Sequence, residues 1–319
     1  MLQNASAIRN SHLVMKRASL ISLSRRRNYT SLINASVKPA DLEYTEIIPS
    51  DGNKTQGALV LVHGLLGFKR NWSSLSKAFS RDLGRPVYAV DMRNHGLSPH
   101  AEPMDYLHMA ADILHFIKKL GLSDISLLGH SMGGKAAMTL ALDSDLPPGL
   151  LKNLVIVDIS PTKGKVSKTT ISYIEAMRRI EASNLTGSSA RKEADKLLVD
   201  VEKDPSTRAF LLSTLTTPSS DSESARFRVP LDILSRSIPD IGSFPYDPGE
   251  AIYKGRTLLV KGGKGRFVNN DNIPVFQRFF PNSRLEVLDT GHWVHAERPN
   301  EFKNVVVNFI KSSETIAET

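Results

Sequence analysis

From Gly57 onward, short runs of β-branched and aliphatic residues alternate with longer segments whose apolar positions recur every three or four residues. Ala58–Val62, Pro86–Val90, Asp124–Leu128 and Lys152–Ile159 read as strands, as do Thr257–Val260 and Arg284–Leu288 after a long gap. Between them, Trp72–Leu83 places Trp72, Leu75, Ala78, Phe79 and Leu83 at helical spacing. Met104–Leu120, Met132–Leu142, Ile273–Phe280 and Pro299–Ile310 read as further helices. Strand–helix alternation of this kind predicts an α/β fold, a mostly parallel sheet flanked by helices on both faces.

Residues 161–250 break the alternation. They are rich in Ser, Thr, Lys and Arg, carry helical segments near Thr170–Ala182 and Ser189–Val201, and hold prolines at 205, 218, 230, 239, 245 and 248. The simplest organisation is a core of residues 41–160 and 251–319, with 161–250 inserted as a helical cap above the carboxyl edge of the sheet, where ligands bind in open α/β folds. The basic pairs Arg178-Arg179 and Arg191-Lys192 read as solvated helix faces.

The chain has 319 residues, 40% of them hydrophobic, enough to bury a sizeable core. There are no cysteines, which excludes disulfides, thiolate metal sites and a cysteine nucleophile together. No run approaches the roughly 18 apolar residues of a membrane-spanning helix, so no stable membrane span is expected. The net charge of +8 is concentrated at the start: residues 1–40 hold Arg9, Lys16, Arg17, Arg25, Arg26, Arg27 and Lys38 and no acid, and the remainder is close to neutral. A basic, serine-containing, acid-free leader predicts a mitochondrial transit peptide, with processing near Arg27-Asn28-Tyr29. A secretory signal fits less well, because Leu20–Leu23 is broken by serine. No basic stripe with interleaved aromatics follows, so nucleic-acid binding has little support. The nine histidines lack paired ligand spacing, and no metal or cofactor is expected.

Chemistry concentrates at Gly129-His130-Ser131-Met132-Gly133-Gly134. A bare G-x-S-x-G pattern is weak, but here it follows an apolar strand and opens a helix, the context of a nucleophile elbow. The glycines permit a turn too sharp for side chains, and the serine sits at a helix N-terminus, where N–H groups favour negative charge. Oxyanion donors are expected from the backbone N–H groups of Met132 and of Leu65, in the loop His63-Gly64-Leu65-Leu66-Gly67; His63 reads as a structural residue orienting that loop. The base is expected just after the last strand, at His292 of Gly291-His292, with His295 its rival. The segment after Thr257–Val260 holds no carboxylate until Asp271. Asp158, closing the apolar strand Val155-Ile156-Val157, is therefore the first choice for the orienting acid, with Asp271 the runner-up. Asp289 is expected to fix the loop before His292, and Asp91–Ser98 to form a self-bonded supporting loop.

Together, His63–Gly67, Asp91–Pro99, Gly129–Lys135, Val157-Asp158-Ile159-Ser160-Pro161 and Gly291-His292-Trp293-Val294-His295 resemble the α/β-hydrolase group that includes bacterial broad esterases, animal mitochondrial abhydrolase-domain hydrolases and yeast ethanol acetyltransferases. The resemblance covers about residues 45–312 and is weakest in the cap. It implies the α/β-hydrolase fold and the acid at Asp158, on the strand after the nucleophile helix. The expected chemistry is acyl transfer through a Ser131–Asp158–His292 triad, hydrolysing small-molecule carboxylic esters or thioesters. The alternative the resemblance implies is an alcohol O-acetyltransferase, with acetyl-CoA as substrate and an alcohol as acceptor. A reading of a different class is a catalytically inactive mitochondrial binding or scaffold protein.

Overall fold

The structure is a computed structural model and describes residues 37–53, 55, 57–216 and 223–315. The expected transit peptide lies almost wholly outside the described residues. Where the description begins, the chain already packs on the body: the Ala40 N–H donates to Asp112 Oδ1 at 2.7 Å.

The apolar runs condense into a seven-stranded sheet made of β1 (Tyr44–Ile47), β2 (Ala58–Val62), β3 (Val87–Val90), β4 (Ile125–His130), β5 (Leu151–Val157), β6 (Arg256–Gly262) and β7 (Ser283–Leu288). The strand order is β1-β3-β2-β4-β5-β6-β7, with β1 antiparallel to β3 and every other pairing parallel. Six strands match the sequence expectation to within a few residues. β1 had no counterpart in it: its four residues lie at a sheet edge and are largely exposed, so Tyr-Thr-Glu-Ile carries no periodic signal.

Helices α1 (Ser73–Leu83), α2 (Tyr106–Lys119) and α3 (Met132–Ala141) connect the first strands. Among the described residues, five α-helices lie between β5 and β6: α4 (Lys168–Ala182), α5 (Ala190–Leu198), α6 (Pro205–Leu211), α7 (Leu231–Arg236) and α8 (Ile238–Gly242). The last three are too short for periodicity to reveal. After β6 come α9 (Ile273–Phe279), α10 (Val294–Glu297) and α11 (Pro299–Thr315).

Successive strand residues point to opposite faces, and both faces are covered. Leu59, Leu61, Val87 and Val155 pack with α1 and α11 through Phe79, Phe302 and Val306. Val60, Val62, Leu127 and Ile156 pack with α2 and α3 in a cluster that continues into the inserted segment through Tyr173, Leu211 and Phe244. Trp72 lies one position ahead of the observed α1, at the end of a 3-10 turn, and is fully buried.

Register brings the strand ends level. Val62 pairs with Gly129, His130 with Val157, and Val157 with Val260. The residues that follow these strands therefore emerge side by side at the carboxyl edge, the place where open α/β sheets bind ligands.

Candidate active site

Ser131 joins β4 to α3 with φ 52° and ψ −119°. A residue with a β-carbon adopts such a backbone only at a cost of about 1–3 kcal/mol, and only when its surroundings enforce it. Here they do. The Ser131 N–H donates to the Val157 carbonyl at 3.0 Å, and its own carbonyl accepts the Lys135 N–H at 3.0 Å. A Cβ on Gly129 would meet the Gly133 oxygen at 2.3 Å, and one on Gly133 the His63 oxygen at 2.5 Å. Glycine at both positions is what lets α3 turn back so tightly on β4.

His292, from the loop after β7, brings Nε2 to 3.0 Å from Ser131 Oγ and Nδ1 to 2.8 Å from Asp158 Oδ2. Its side chain is one-fifth exposed, while that of Asp158 is wholly buried. The carboxylate is satisfied on its other side as well, where the Gly262 N–H donates to Oδ1 at 3.0 Å. At the end of β6, the chain needs a glycine rather than an acid. A Cβ on Gly262 would lie 2.0 Å from the Gly291 oxygen, so only glycine lets the two loops cross. The crossing is tied by the Gly263 N–H to Leu288 O at 2.7 Å and the Lys264 N–H to Thr290 O at 2.9 Å.

The rivals go elsewhere. Asp271 is exposed, in a turn whose N–H groups are gathered by Asn269. His295 is buried on α10, stacked on Trp72 at 4.4 Å between ring centres, and burial holds it neutral with its pKa down at about 3. Asp289 forms an exposed pair with Lys264 at 2.8 Å, joining the loops after β7 and β6.

Leu65 and Met132 both line the chamber beside Ser131. Behind them, two buried imidazoles hold the backbone. His63 Nδ1 donates to Gly64 O at 2.8 Å while Nε2 accepts the Met92 N–H at 3.0 Å. His95 Nδ1 donates to Arg93 O at 2.9 Å and its Nε2 accepts the Leu66 N–H at 3.1 Å. Each accepts a hydrogen bond on one ring nitrogen and so must be neutral; burial lowers both pKa values, His95 to about 3. The Asp91–Ser98 loop is self-bonded: Asp91 accepts the Leu97 N–H at 2.9 Å on its carboxylate and the Ser98 hydroxyl at 2.6 Å on its carbonyl, while the Lys69 N–H reaches the carboxylate from outside at 2.6 Å. Gly96, at φ +56°, passes so close that a Cβ there would strike the Asp91 carboxylate at 2.2 Å.

Above the site is a chamber of about 770 Å³, walled by the strand-end loops below and by inserted residues such as Val166, Tyr173 and Ile241 above. Two aromatic pairs flank His292, Phe267 with its ring 4.2 Å from the imidazole and Phe210 with its ring 5.9 Å from Trp293. Lys135 is 95% buried and reaches out of α3 to the insertion, its Nζ donating to Thr162 O at 2.8 Å, Ser243 O at 2.8 Å and Gly242 O at 3.3 Å. Burial lowers its pKa to about 8. Tyr106 OH donates to the adjacent Ile241 O at 2.7 Å. Neither residue was singled out from sequence alone, although a lysine among the small residues of Gly133–Ala137 was a visible signal.

An acceptor imidazole on a serine hydroxyl, oriented by a buried carboxylate, can generate an alkoxide-like nucleophile. Comparisons with known proteins place the chain by family and fold. Residues 57–299 match the model of the family described as alpha/beta hydrolase fold. An abhydrolase domain-containing protein of Schizosaccharomyces pombe is 42% identical over 80% of this chain and 92% of its own length. The sn-1-specific diacylglycerol lipase ABHD11 of Mus musculus is 38% identical over 87% of each chain. Among solved structures, a marine microorganism esterase superposes with a TM-score of 0.74 at 30% identity, covering 85% of this chain and 99% of the esterase. By its sheet, its strand-end loops and these matches, the chain belongs to the alpha/beta-hydrolase family.

Proposed function

We propose that this protein is a serine hydrolase that cleaves carboxylic esters or thioesters through an acyl-enzyme on Ser131. The observation that carries the reading is the continuous chain of contacts from Asp158 Oδ2 through His292 to Ser131 Oγ, at 2.8 and 3.0 Å. In this scheme the Ser131 oxygen attacks the acyl carbonyl as His292 Nε2 takes its proton. The backbone N–H groups of Met132 and Leu65 receive the oxyanion, and His292 returns the proton to the leaving alcohol or thiol. Asp158 keeps the proton on Nδ1 and stabilises the imidazolium. Water, deprotonated by His292, then releases the acid. An alcohol entering the same position would give an ester instead, so the identity of the acceptor rests on what the chamber admits.

The chamber volume and the apolar part of its wall, from Leu65 and Leu66 to Phe210, Leu211 and Phe267, favour a substrate with a hydrocarbon acyl chain. The lipase name of the mouse relative fits the same choice. Ser131→Ala should abolish ester hydrolysis and labelling by a fluorophosphonate probe while leaving the melting temperature near that of wild type. Full labelling or turnover in that variant would refute the reading and favour a binding protein. With acetyl-CoA as donor and ethanol varied, release of free acetate independent of ethanol is expected; ethyl acetate as the main product would make the enzyme a transferase. We further propose a mitochondrial location from the basic, acid-free leader. The full chain fused to a fluorescent protein should enter mitochondria and a fusion beginning at residue 37 should not.

A further inference from the structure

His130 lies beside the nucleophile yet has no part in the scheme above. It is buried, and its Nε2 lies 3.0 Å from the carbonyl oxygen of His292, 162 residues away. A carbonyl only accepts, so Nε2 carries the proton and donates it. The ring packs between those of His292 and His295, with centres 4.7 and 4.6 Å away, and His295 in turn stacks on Trp72. Its other nitrogen abuts the oxyanion loop, where a Cβ on Gly64 would come within 2.9 Å of Nδ1. One side chain thus touches the backbone of the base and the loop expected to hold the oxyanion, and is covalently adjacent to the nucleophile.

We propose that His130 is a positioning residue that sets the distance between His292 and Ser131 by holding the His292 carbonyl through its Nε2–H. The inference rests on the serine-hydrolase reading. The Ser131–His292 contact is itself a single hydrogen bond that must break and re-form as the proton moves. The loop carrying His292 is tied to the loop after β6, and the bond from His130 ties its backbone to the end of β4. The residue must also remain uncharged, because a cation 4.7 Å from His292 would oppose the imidazolium that develops in the transition state. Burial first, and then the neighbouring His295 and His292, hold its pKa well below the usual histidine value.

Three substitutions separate the donor from the packing. Glutamine places its amide nitrogen where Nε2 lies, asparagine only where Nδ1 lies, and phenylalanine keeps the ring without a donor. His130→Phe and His130→Asn should lower kcat by about 10- to 100-fold, the scale of a small misplacement of a reacting group, with KM nearly unchanged. The acid limb of the kcat/KM profile should move with them. His130→Gln should restore most of the kcat and the wild-type profile. Wild-type kcat in the asparagine variant, or glutamine no better than asparagine, would overturn the proposal. Ser131→Ala run in parallel keeps the two levels apart. If it is inactive, a failure among the His130 variants counts against positioning alone; if it is active, both readings fall.

Discussion

The sheet edge and the inserted helices meet across one chamber, yet they are built by opposite means. At the edge, position is set by backbone: strand pairing, N–H donors and glycines pressed against carbonyls at distances no β-carbon could share. Ser131, Asp158 and His292 come from three loops, each tied to its neighbour by main-chain hydrogen bonds. The insertion consists of helices joined to the edge through side chains of the core, chiefly Lys135 of α3 and Tyr106 of α2 on the carbonyls of residues 241–243. On the proposed function, the difference separates two tasks. Chemistry needs atoms held to within a few tenths of an ångström, which only a rigid frame supplies. Selection of substrate needs a wall whose shape can vary without disturbing that frame.

The contrast can be broken most severely at the edge. Asp158→Asn should reduce kcat by about 10³–10⁴-fold, because an amide at this position stabilises the wrong imidazole tautomer. Asp271→Asn should leave it unchanged. Steady-state hydrolysis of a soluble ester measures both, and a large loss from the second with little from the first would reverse the roles.

Acid should damage the edge next. His95 and His295 have folded pKa values near 3, below the ordinary 6.5, so the unfolded chain binds protons that the folded one refuses. Their contribution to stability is whole above about pH 6.5 and is lost as pH falls from 6.5 toward 3, with a slope of up to about 1.4 kcal/mol per pH unit for each. The urea midpoint should therefore fall steeply between pH 6.5 and 4. A flat profile would mean that these rings are not held neutral.

The smallest effect should come from the insertion. Lys135→Met removes a charged donor from three carbonyls, bonds of a kind worth about 1.5–3 kcal/mol each. KM for a long-chain ester should rise several-fold while turnover of an acetate ester changes far less. Equal losses on both substrates would show that Lys135 supports the nucleophile helix rather than the chamber wall.

Much of the edge was legible beforehand because its constraints are local. The string from Gly129 to Gly134 carries its own turn, and a lone carboxylate ending the apolar run Val155–Val157 asks for a partner. The glycines at 262 and 263 were harder to read. They marked an absent acid, when what they supply is a crossing of two loops and an N–H for Asp158. Asp91–Ser98 was expected as a self-bonded loop, but the histidine at 95 that holds the Leu66 N–H had no signal of its own. In the insertion the two longer helices, α4 and α5, were visible through their periodicity. The three shorter ones and the edge strand β1 were not, since one or two turns, or four exposed residues, give periodicity too little length to act on.

What the amino-acid order determined by itself was the alternation of strand and helix, the strained serine turn and the three residue types that meet there. These follow from side-chain period, steric size and the cost of burying a charge alone, all properties of a short stretch of chain. Tertiary structure decided which carboxylate faces His292, that His130 and Lys135 reach partners more than a hundred residues from β4 and α3, and how large a chamber remains above Ser131. Those outcomes depend on register and on the crossing of loops distant in sequence, and distance in sequence is the one separation that folding removes.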